Sequence, residues 1–227
     1  MTPNSRRLYL FDIDGTLLNS GGAGSAAMRQ AFHRVFGIED GFATVDFAGR
    51  SDLAIITDAL AGIGLGDGDL VEAVRRFKRH YYRCLPAMMV ERRGTLLPGV
   101  KQLLEGLSEH TSNTLMLGTG NFRYSAGIKL KHFGIDTYFR GGGFGDRTGH
   151  RPSLVAQGIR AANRIAGKHG TVFVIGDTVH DVMAAKANDA IAVAVATGVV
   201  PRAALEVAGA DLVLDTLEEA LAHIGPR

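Results

Sequence analysis

From Leu97 to the end of the chain, short apolar segments typical of buried strands alternate with amphipathic segments typical of helices. Strands that alternate with helices along a chain join through right-handed crossovers and form parallel sheets. Ligands of such sheets bind beyond the carboxyl ends of the strands, where the strand order reverses. The alternation therefore predicts an α/β fold built on a doubly wound parallel sheet, with any functional site at that edge.

The same pattern sets approximate bounds for these elements. Strands are predicted at residues 113–119, 138–140, 172–176, 191–195 and 211–214. Helices are predicted at residues 100–109, 123–133, 152–166, 179–187, 201–208 and 217–223.

One more strand of this sheet lies at the N-terminal end, where the apolar run Leu8–Leu10 leads into Phe11-Asp12-Ile13-Asp14-Gly15-Thr16-Leu17. In extended geometry Asp12 and Asp14 project to the same side, because side chains repeat every two residues. Gly15 lets the backbone turn directly after them. Carboxylates this close repel each other unless a cation or a shared proton offsets their charge. The pair therefore predicts a divalent metal ion and a protonated partner.

No convincing strand interrupts the stretch from about Gly24 to Leu85, where apolar residues recur at helical spacing. These residues are Met28, Phe32, Val35 and Phe36 in one segment, and Val71, Val74, Phe77, Tyr81 and Cys84 in another. The stretch is predicted to be an insertion reached through two hinge strands, near residues 17–20 and 92–97. We therefore predict an α/β core domain of residues 1–18 and 94–227 and an all-helical cap domain of residues 19–93.

Polar residues also follow two later strands of the predicted sheet. Thr119 ends one strand, and its hydroxyl, with the backbone amides of Gly120 and Asn121 near a helix start, makes a cradle for an oxyanion. Asp177 ends another strand, and Asp181 on the next helical turn can face the same pocket. Carboxylate oxygens of this kind suit Mg²⁺.

A basic residue opens the helix ahead of the last motif. Arg151 stands directly before Pro152, which suits the first helical turn, so the Arg151 side chain can reach the site. Arg147 is the alternative for the same role. Lys129 and Lys131 are predicted to be solvated residues of a helix.

Taken in order, these segments resemble the four motifs of the haloacid dehalogenase superfamily, which consists mostly of aspartate-nucleophile phosphatases and phosphomutases. The resemblance rests on the DxDGT run of residues 12–16, the strand ending in Thr119, Arg151, and the Gly-Asp-Thr run of residues 176–178. It covers essentially the whole chain. Relatives usually carry Lys where Arg151 stands, and Arg also binds phosphate and stays charged. The helical insertion and the Gly-Asp-Thr run resemble the phosphoglycolate-phosphatase-like branch.

The resemblance implies a Rossmann-like core and a Mg²⁺-dependent hydrolysis of a small phosphomonoester through an aspartyl-phosphate. It implies that Asp12 attacks phosphorus, while Asp14 protonates the leaving alcohol and then activates water. It also implies that Mg²⁺ is held by the Asp12 carboxylate, the Asp14 backbone carbonyl, Asp177 and, through water, Asp181. The phosphoryl oxygens would contact Thr119, the amides of Gly120 and Asn121, and Arg151.

Three other functions share parts of this pattern. A dehalogenase needs neither a leaving-group acid nor Mg²⁺, so Asp14, Asp177 and Asp181 count against it. A response-regulator receiver is much shorter and lacks both the cap and the Asp14 acid. A sugar phosphomutase similar to β-phosphoglucomutase carries the same helical cap, but hexose-phosphate mutases tend to have Val where Thr16 stands. The mutase stays open as the alternative to the phosphatase.

One stretch of the predicted cap has a functional pattern, namely Phe47-Ala48-Gly49-Arg50-Ser51-Asp52. It resembles a substrate-specificity loop in relatives whose caps close over the site. Arg50 is predicted to bind a carboxylate or second phosphate of the substrate, although a surface Arg without a ligand is the other interpretation. Ser51 or Asp52 is predicted to be the N-cap of the helix that follows.

Composition limits the remaining classes of function. The chain has 227 residues, 46% of them hydrophobic, a formal charge of +2 and a single cysteine. Cys84 therefore has no partner for an internal disulfide and is predicted to be a small core residue. Neither a dense basic run, nor a signal peptide, nor an apolar run long enough to span a bilayer is found. We expect a soluble cytoplasmic protein, monomer or homodimer, that binds a small phosphate ester rather than nucleic acid or membrane.

Overall fold

A computed structural model describes residues 6–47, 49–65 and 67–225. Ala48 of the predicted specificity loop, and residues 1–5 and 226–227 of the predicted core domain, lie outside this description. The strands are β1 (Arg7–Phe11), β2 (Leu18–Asn19), β3 (Thr95–Leu96), β4 (Asn113–Thr119), β5 (Gly142–Phe144), β6 (Thr171–Gly176), β7 (Ile191–Val195) and β8 (Leu212–Leu214). The helices are α1 (Ala23–Phe36), α2 (Asp52–Gly62), α3 (Asp67–Arg92), α4 (Val100–Ser108), α5 (Arg123–His132), α6 (Arg151–Ala166), α7 (Val179–Lys186), α8 (Arg202–Val207) and α9 (Ala220–Ile224).

Six strands form one parallel sheet in the order β5-β4-β1-β6-β7-β8, which confirms the predicted α/β class. β1 lies between β4 and β6, and Phe11 pairs with Leu117 on one side and Ile175 on the other. The three strands therefore end at almost the same level. The chain builds β4 and β5 on one side of β1 and β6, β7 and β8 on the other, so the strand order reverses at this point. A crevice for ligands is expected there.

Each face of the sheet packs against its own layer of helices. The buried leucines of α4 and the aromatic residues of β1 and β6 form one core, in which the rings of Tyr9 and Phe173 stack at 5.0 Å. The other core joins Leu8 and Leu10 of β1 to Val155 of α6 and to the alanines of α7 and β7. Two filled cores on opposite faces are what makes a buried parallel sheet stable.

The strand predicted at residues 138–140 is wrong. Residues Asp136–Tyr138 form a 3₁₀ turn instead, and the edge strand β5 begins at Gly142. Tyr138 and Phe139 favour strands by propensity, but here they pack their rings against the core from outside the sheet. β5 contains two consecutive glycines because a Cβ on Gly143 would overlap the carbonyl oxygen of Leu154 in α6. The last predicted helix is likewise divided, into a 3₁₀ turn at Leu217–Glu219 and α9.

Helices α1, α2 and α3 form the predicted cap between β2 and β3. These two short strands pair with each other, Leu18 with Leu96 and Asn19 with Thr95, inside the ranges predicted for the hinges. The boundaries at residues 18/19 and 93/94 stay a prediction. Buried rings of α1 and α3 form a separate cap core, against which Phe122 of the core domain also packs.

The longest helix, α3, extends further than the sequence pattern indicates, because it continues through Pro86 to Arg92. Its buried face is formed by Ala73, Phe77, Tyr81 and Leu85, whereas Val71 of the predicted stripe is 81% exposed. Cys84 is half-buried at the edge of the cap core. Within the described ranges, no helix combines the length and the apolar character that a membrane span requires.

Candidate active site

The carboxyl ends of β1, β4 and β6 open into a cavity of about 870 Å³ that the cap covers. Asp12 and Asp14 follow β1, Asn121 follows β4, and Asp177 follows β6, and all four line this cavity. The cap contributes Met28, Phe47, Arg50, Asp52, Ile55 and Tyr81 to the opposite wall. Residues predicted from each of the four motifs therefore face one common space, whereas Thr119 and Asp181 are buried beside it.

Three carboxylates converge at the carboxyl ends of β1 and β6, and two of them, Asp12 and Asp177, line this space. Asp12, Asp177 and Asp181 are all buried, and one oxygen from each lies within 4.8 Å of the others. The Asp177 carboxylate can occupy this position because Gly15 and Gly198 have no Cβ. A Cβ on either residue would overlap the carboxylate. Hard oxygen donors of this kind suit Mg²⁺.

Arg151 is the buried cation within this group. Its Nη2 lies 2.6 Å from Asp12 Oδ2 and 2.6 Å from Asp181 Oδ1, and its Nε donates to the same Asp181 oxygen at 2.8 Å. Arg147, the alternative considered for this position, is exposed. Of the two arginines, the structure thus places Arg151 among the carboxylates.

A single guanidinium leaves the carboxylates short of positive charge. Burial, followed by repulsion from Asp12 and Asp181, raises the pKa of Asp177 to about 8 despite the hydrogen bond from Thr16. Burial also raises the pKa of Asp12 in spite of Arg151. Oδ1 of Asp12 is buried and has no hydrogen-bond partner among the residues that the structure describes. The uncompensated charge and the unpartnered oxygen both fit a bound divalent cation.

Asp181 has a structural role as well. Its Oδ2 accepts hydrogen bonds from the backbone N–H and the hydroxyl of Thr178, while Thr178 Oγ1 accepts from the backbone N–H of Asp181. This reciprocal pair is a capping box, which holds the first turn of α7. Asp181, the acid that follows the Gly-Asp-Thr run, is therefore fixed within the first turn of α7.

Asp14 lies beside this group and has a different environment. Lys129 Nζ lies 2.5 Å from Asp14 Oδ2, and Asn121 Nδ2 donates to the same oxygen at 2.8 Å. Burial alone would raise the pKa of the Asp14 carboxyl, but Lys129 and Asn121 outweigh burial and lower it. The prediction that Lys129 is solvated is wrong, because its side chain is only 4% exposed, whereas Lys131 is exposed as predicted.

The segment after β4 connects the site to the cap. Thr119 Oγ1 accepts hydrogen bonds from the backbone N–H and the side-chain amide of Asn121, and the Gly120 carbonyl accepts from the Asp52 N–H at 2.8 Å. A Cβ on Gly120 would lie 3.1 Å from Arg151 Nη1. The predicted oxyanion cradle is thus adjacent to Arg151. The side chain of Asn121 forms hydrogen bonds with Asp14 and Lys129.

In the predicted specificity loop, Ser51 is the N-cap of α2 and its side chain accepts a hydrogen bond from the Ala54 N–H at 3.2 Å, as one of the two alternatives predicted. Arg50 lines the cavity, but its Nη2 also contacts Asp58 at 2.6 Å. Asp52 is buried and accepts hydrogen bonds from the Phe122 N–H and the Ser125 hydroxyl, and burial raises its pKa to about 6.

The sequence motifs miss Lys129, and they place Asp52 only as a possible N-cap, without its buried contacts with Phe122 and Ser125. Lys129 lies on the same face of α5 as the buried Ser125, Ala126 and Leu130. A charged residue on an apolar helical face is a usable signal, because burying an ammonium is costly without a partner. Asp52 follows a good N-cap residue and offers no comparable signal.

Comparison with known proteins identifies the family of this chain. A model described as haloacid dehalogenase-like hydrolase matches residues 9–186. The chain belongs to the haloacid dehalogenase-like hydrolase family. A second model, HAD-hydrolase-like, matches residues 158–220 and includes the strand and helix of the Asp177 motif.

Individual proteins resemble the chain over nearly its full length. A probable phosphatase, IndB from Dickeya dadantii, is 26% identical over 215 residues, which are 93% of this chain and 90% of that protein. The structure of CbbY from Rhodobacter sphaeroides in complex with phosphate has a TM-score of 0.70 at 19% identity, covering 96% of this chain and 98% of CbbY. A predicted phosphoglycolate phosphatase from Haemophilus somnus has a TM-score of 0.65 at 20% identity and covers 98% of both chains. At these identities the two structures share the fold with this member of the family.

Proposed function

We propose that this chain is a Mg²⁺-dependent phosphatase that hydrolyses small phosphomonoesters through a phosphoryl group carried by Asp12. The observation that carries the proposal is the convergence of Asp12, Asp177 and Asp181 beside Arg151, under a cap. The family and the phosphatase names of its members support the same chemistry. The helical cap and the Gly-Asp-Thr run favour the phosphoglycolate-phosphatase-like branch.

The metal ion would be held by the Asp12 carboxylate, the Asp14 backbone carbonyl and Asp177, with Asp181 positioned to hold a metal-bound water. Its contribution is positive charge, which offsets the carboxylates and the phosphoryl oxygens together. Arg151 provides a second, permanent charge through its contacts with Asp12 and Asp181.

In the first step a carboxylate oxygen of Asp12 attacks phosphorus, and the bond between phosphorus and the ester oxygen breaks. We assign the oxygens of the transferred group to Arg151 Nη1, Thr119 and the amides of Gly120 and Asn121, the last of which exchanges its hydrogen bond with Thr119 Oγ1 for one with the phosphoryl group. In the second step water attacks the same phosphorus, the aspartyl-phosphate bond breaks, and inorganic phosphate leaves.

Asp14 moves the protons of both steps. Lys129 and Asn121 keep its pKa low, so Asp14 is a carboxylate before substrate binds. An anionic phosphoryl group beside Asp14 raises this pKa, because like charges disfavour the ionised form. Asp14 therefore takes up a proton from solvent as the substrate binds and donates it to the leaving oxygen, and as the resulting carboxylate it accepts a proton from the attacking water.

The experiment measures inorganic phosphate released from phosphoglycolate, p-nitrophenyl phosphate and a panel of sugar phosphates. We expect release with Mg²⁺, none in excess chelator, and inhibition by Ca²⁺, whose looser coordination disturbs in-line attack. Transfer of the phosphoryl group between sugar hydroxyls without release would favour the phosphomutase instead. No release from any substrate with Mg²⁺ present would overturn the proposal.

A further inference from the structure

Lys129 is a buried ammonium that none of the four motifs includes. It belongs to α5, and 3% of the residue is exposed. Taking an ammonium out of water costs several kcal/mol unless partners compensate for the lost hydration. The partners that compensate therefore indicate why the chain carries a lysine at this position.

These partners are two residues of the active site. Lys129 Nζ lies 2.5 Å from Asp14 Oδ2 and 2.6 Å from Asn121 Oδ1. Asn121 closes the triangle, since its Nδ2 donates to the same Asp14 oxygen at 2.8 Å. One oxygen of Asp14 is thus held from two directions, while 41% of the Asp14 side chain stays exposed.

The cap leaves space for this arrangement. Gly24, in the first turn of α1, lies above the ammonium, and a Cβ there would be 3.4 Å from Lys129 Nζ and 3.8 Å from Tyr81 Oη. Lys129 is thereby enclosed between the core and the cap. Its contacts run to Asp14 and Asn121 and do not include Asp12, Asp177, Asp181 or Arg151.

We propose that Lys129 is a positioning residue that fixes the Asp14 carboxyl group toward the leaving-group oxygen. This inference rests on the proposed function, because it assigns Lys129 to the leaving-group side of that reaction. Lys129 acts through Asp14 and has no part in the attack by Asp12. Its removal therefore slows the reaction only where the leaving oxygen needs a positioned proton donor.

The test compares Lys129→Met with Lys131→Met, a control on the exposed side of the same helix. The first step is followed in single turnovers with an alkyl phosphate and with p-nitrophenyl phosphate, whose leaving group departs without a proton. For Lys129→Met we expect a loss of about 100-fold with the alkyl phosphate, a typical contribution of general acid catalysis. With p-nitrophenyl phosphate we expect a loss below about fivefold, and Lys131→Met should match the wild type with both.

A double-mutant cycle separates positioning from a general structural role. Residues that act through one another are not additive, so Lys129→Met should cause no further loss in an Asp14→Asn background. Equal losses with both substrates, or an additive loss in that background, would overturn the inference. Lys129→Gln, which is shorter and uncharged, serves the same comparison if the methionine variant does not fold.

The conformation of Asp14 can be measured without turnover, and it therefore tests the role of Lys129 separately from the proposed function. Crystal structures of the wild type and of Lys129→Met would show whether Asp14 keeps one conformation. We expect one conformer in the wild type and a displaced or multiple conformer in the variant. An inactive wild type with this difference would contradict only the proposed function. An unchanged Asp14 in the variant would contradict the role of Lys129.

Discussion

The pKa of Asp177 shows most clearly how burial and the neighbouring charges of the site oppose each other. Thr16 and Arg151 favour its ionised form, but burial and the neighbouring Asp12 and Asp181 outweigh them and raise its pKa to about 8. An unfolded chain would give this carboxyl its ordinary value of 3.8. Between these two values the folded protein binds a proton that the unfolded chain lacks. The stability of the metal-free protein therefore falls as the pH rises through this window.

Asp177→Asn removes this pH-dependent cost and keeps an oxygen that can accept from Thr16. In chelator, the free energy of unfolding of the variant relative to the wild type should rise between about pH 5 and about pH 9. We expect a rise of more than about 1.4 kcal/mol, the equivalent of one pKa unit. Denaturant unfolding at the two pH values measures it. Mg²⁺ should stabilise the wild type more than the variant, and a pH-independent difference between the two proteins would contradict the assignment.

Arg50 is predicted to select substrates that carry a second anionic group. Arg50→Ala should raise the KM for a carboxylated phosphomonoester about tenfold, equivalent to about 1.4 kcal/mol. p-Nitrophenyl phosphate, which lacks the second anion, should change much less. Because Arg50 is paired with Asp58 at 2.6 Å, the substrate competes with that carboxylate, so Asp58→Ala should lower the same KM. Parallel changes with both substrates would assign substrate choice to another residue.

At the scale of elements, β5 depends on close approach rather than on strand propensity. A Cβ on Gly143 would overlap the backbone of α6, whereas a Cβ on Gly127 in α5 would meet nothing within 4 Å. Gly143→Ala should therefore destabilise the protein by more than about 2 kcal/mol. Gly127→Ala, the matched control, should stabilise it by up to about 1 kcal/mol. Urea unfolding of both variants measures the difference, and a neutral Gly143→Ala would show that α6 can move away.

The dependence of β5 on its neighbours also explains which strands could be predicted from the sequence and which could not. The strand predictions at residues 113–119 and 191–195 coincide with β4 and β7, because a buried parallel strand is a continuous apolar run with abrupt ends. β5 is missed because two glycines have no strand preference of their own. They form a strand only where β4 and α6 come together, and no local pattern encodes that approach.

The same distinction applies to the candidate site. The positions of Asp12, Asp14 and Asp177 could be predicted because each follows an apolar strand, and parallel strands end at one edge of their sheet. The positions of Lys129 and Asp52 depend on how α5 meets the cap, which involves segments about 70 residues apart in sequence. Their burial is a tertiary property: helical periodicity places Lys129 on the apolar face of α5, but no local pattern supplies the partners that keep its ammonium buried there.

At the scale of the whole molecule, the cap is docked on the core through polar contacts as well as through apolar packing. Asp52 of α2 accepts from the backbone N–H of Phe122 and from Ser125, and so caps α5, which has no side-chain cap of its own. Lys78 of α3 contacts Asp146 at 2.8 Å, and Asp146 in turn accepts from the Arg123 N–H. The start of α5 is therefore held from two sides.

Asp52→Ala should loosen this docking, because the Phe122 amide loses its acceptor and a buried hydrogen bond to a charged group contributes about 1.5–3 kcal/mol. Hydrogen exchange should become faster at the first turn of α5, while the amides of β1 and β6 keep their wild-type protection. Glu72→Gln, an exposed change on α3, serves as the control. Unchanged exchange at Phe122 in Asp52→Ala would mean that the Asp52 carboxylate does not contribute to holding the start of α5.

The most direct test of the whole account is to trap the phosphoryl group on the protein. Rapid acid quenching during turnover of a labelled substrate with Mg²⁺, followed by peptide mapping, locates any covalent phosphate. We predict one phosphoryl group on Asp12, formed and lost as fast as the enzyme turns over. We also predict no label and no turnover in Asp12→Asn, with an unchanged circular dichroism spectrum. Normal turnover by Asp12→Asn, or label on another residue, would contradict the account.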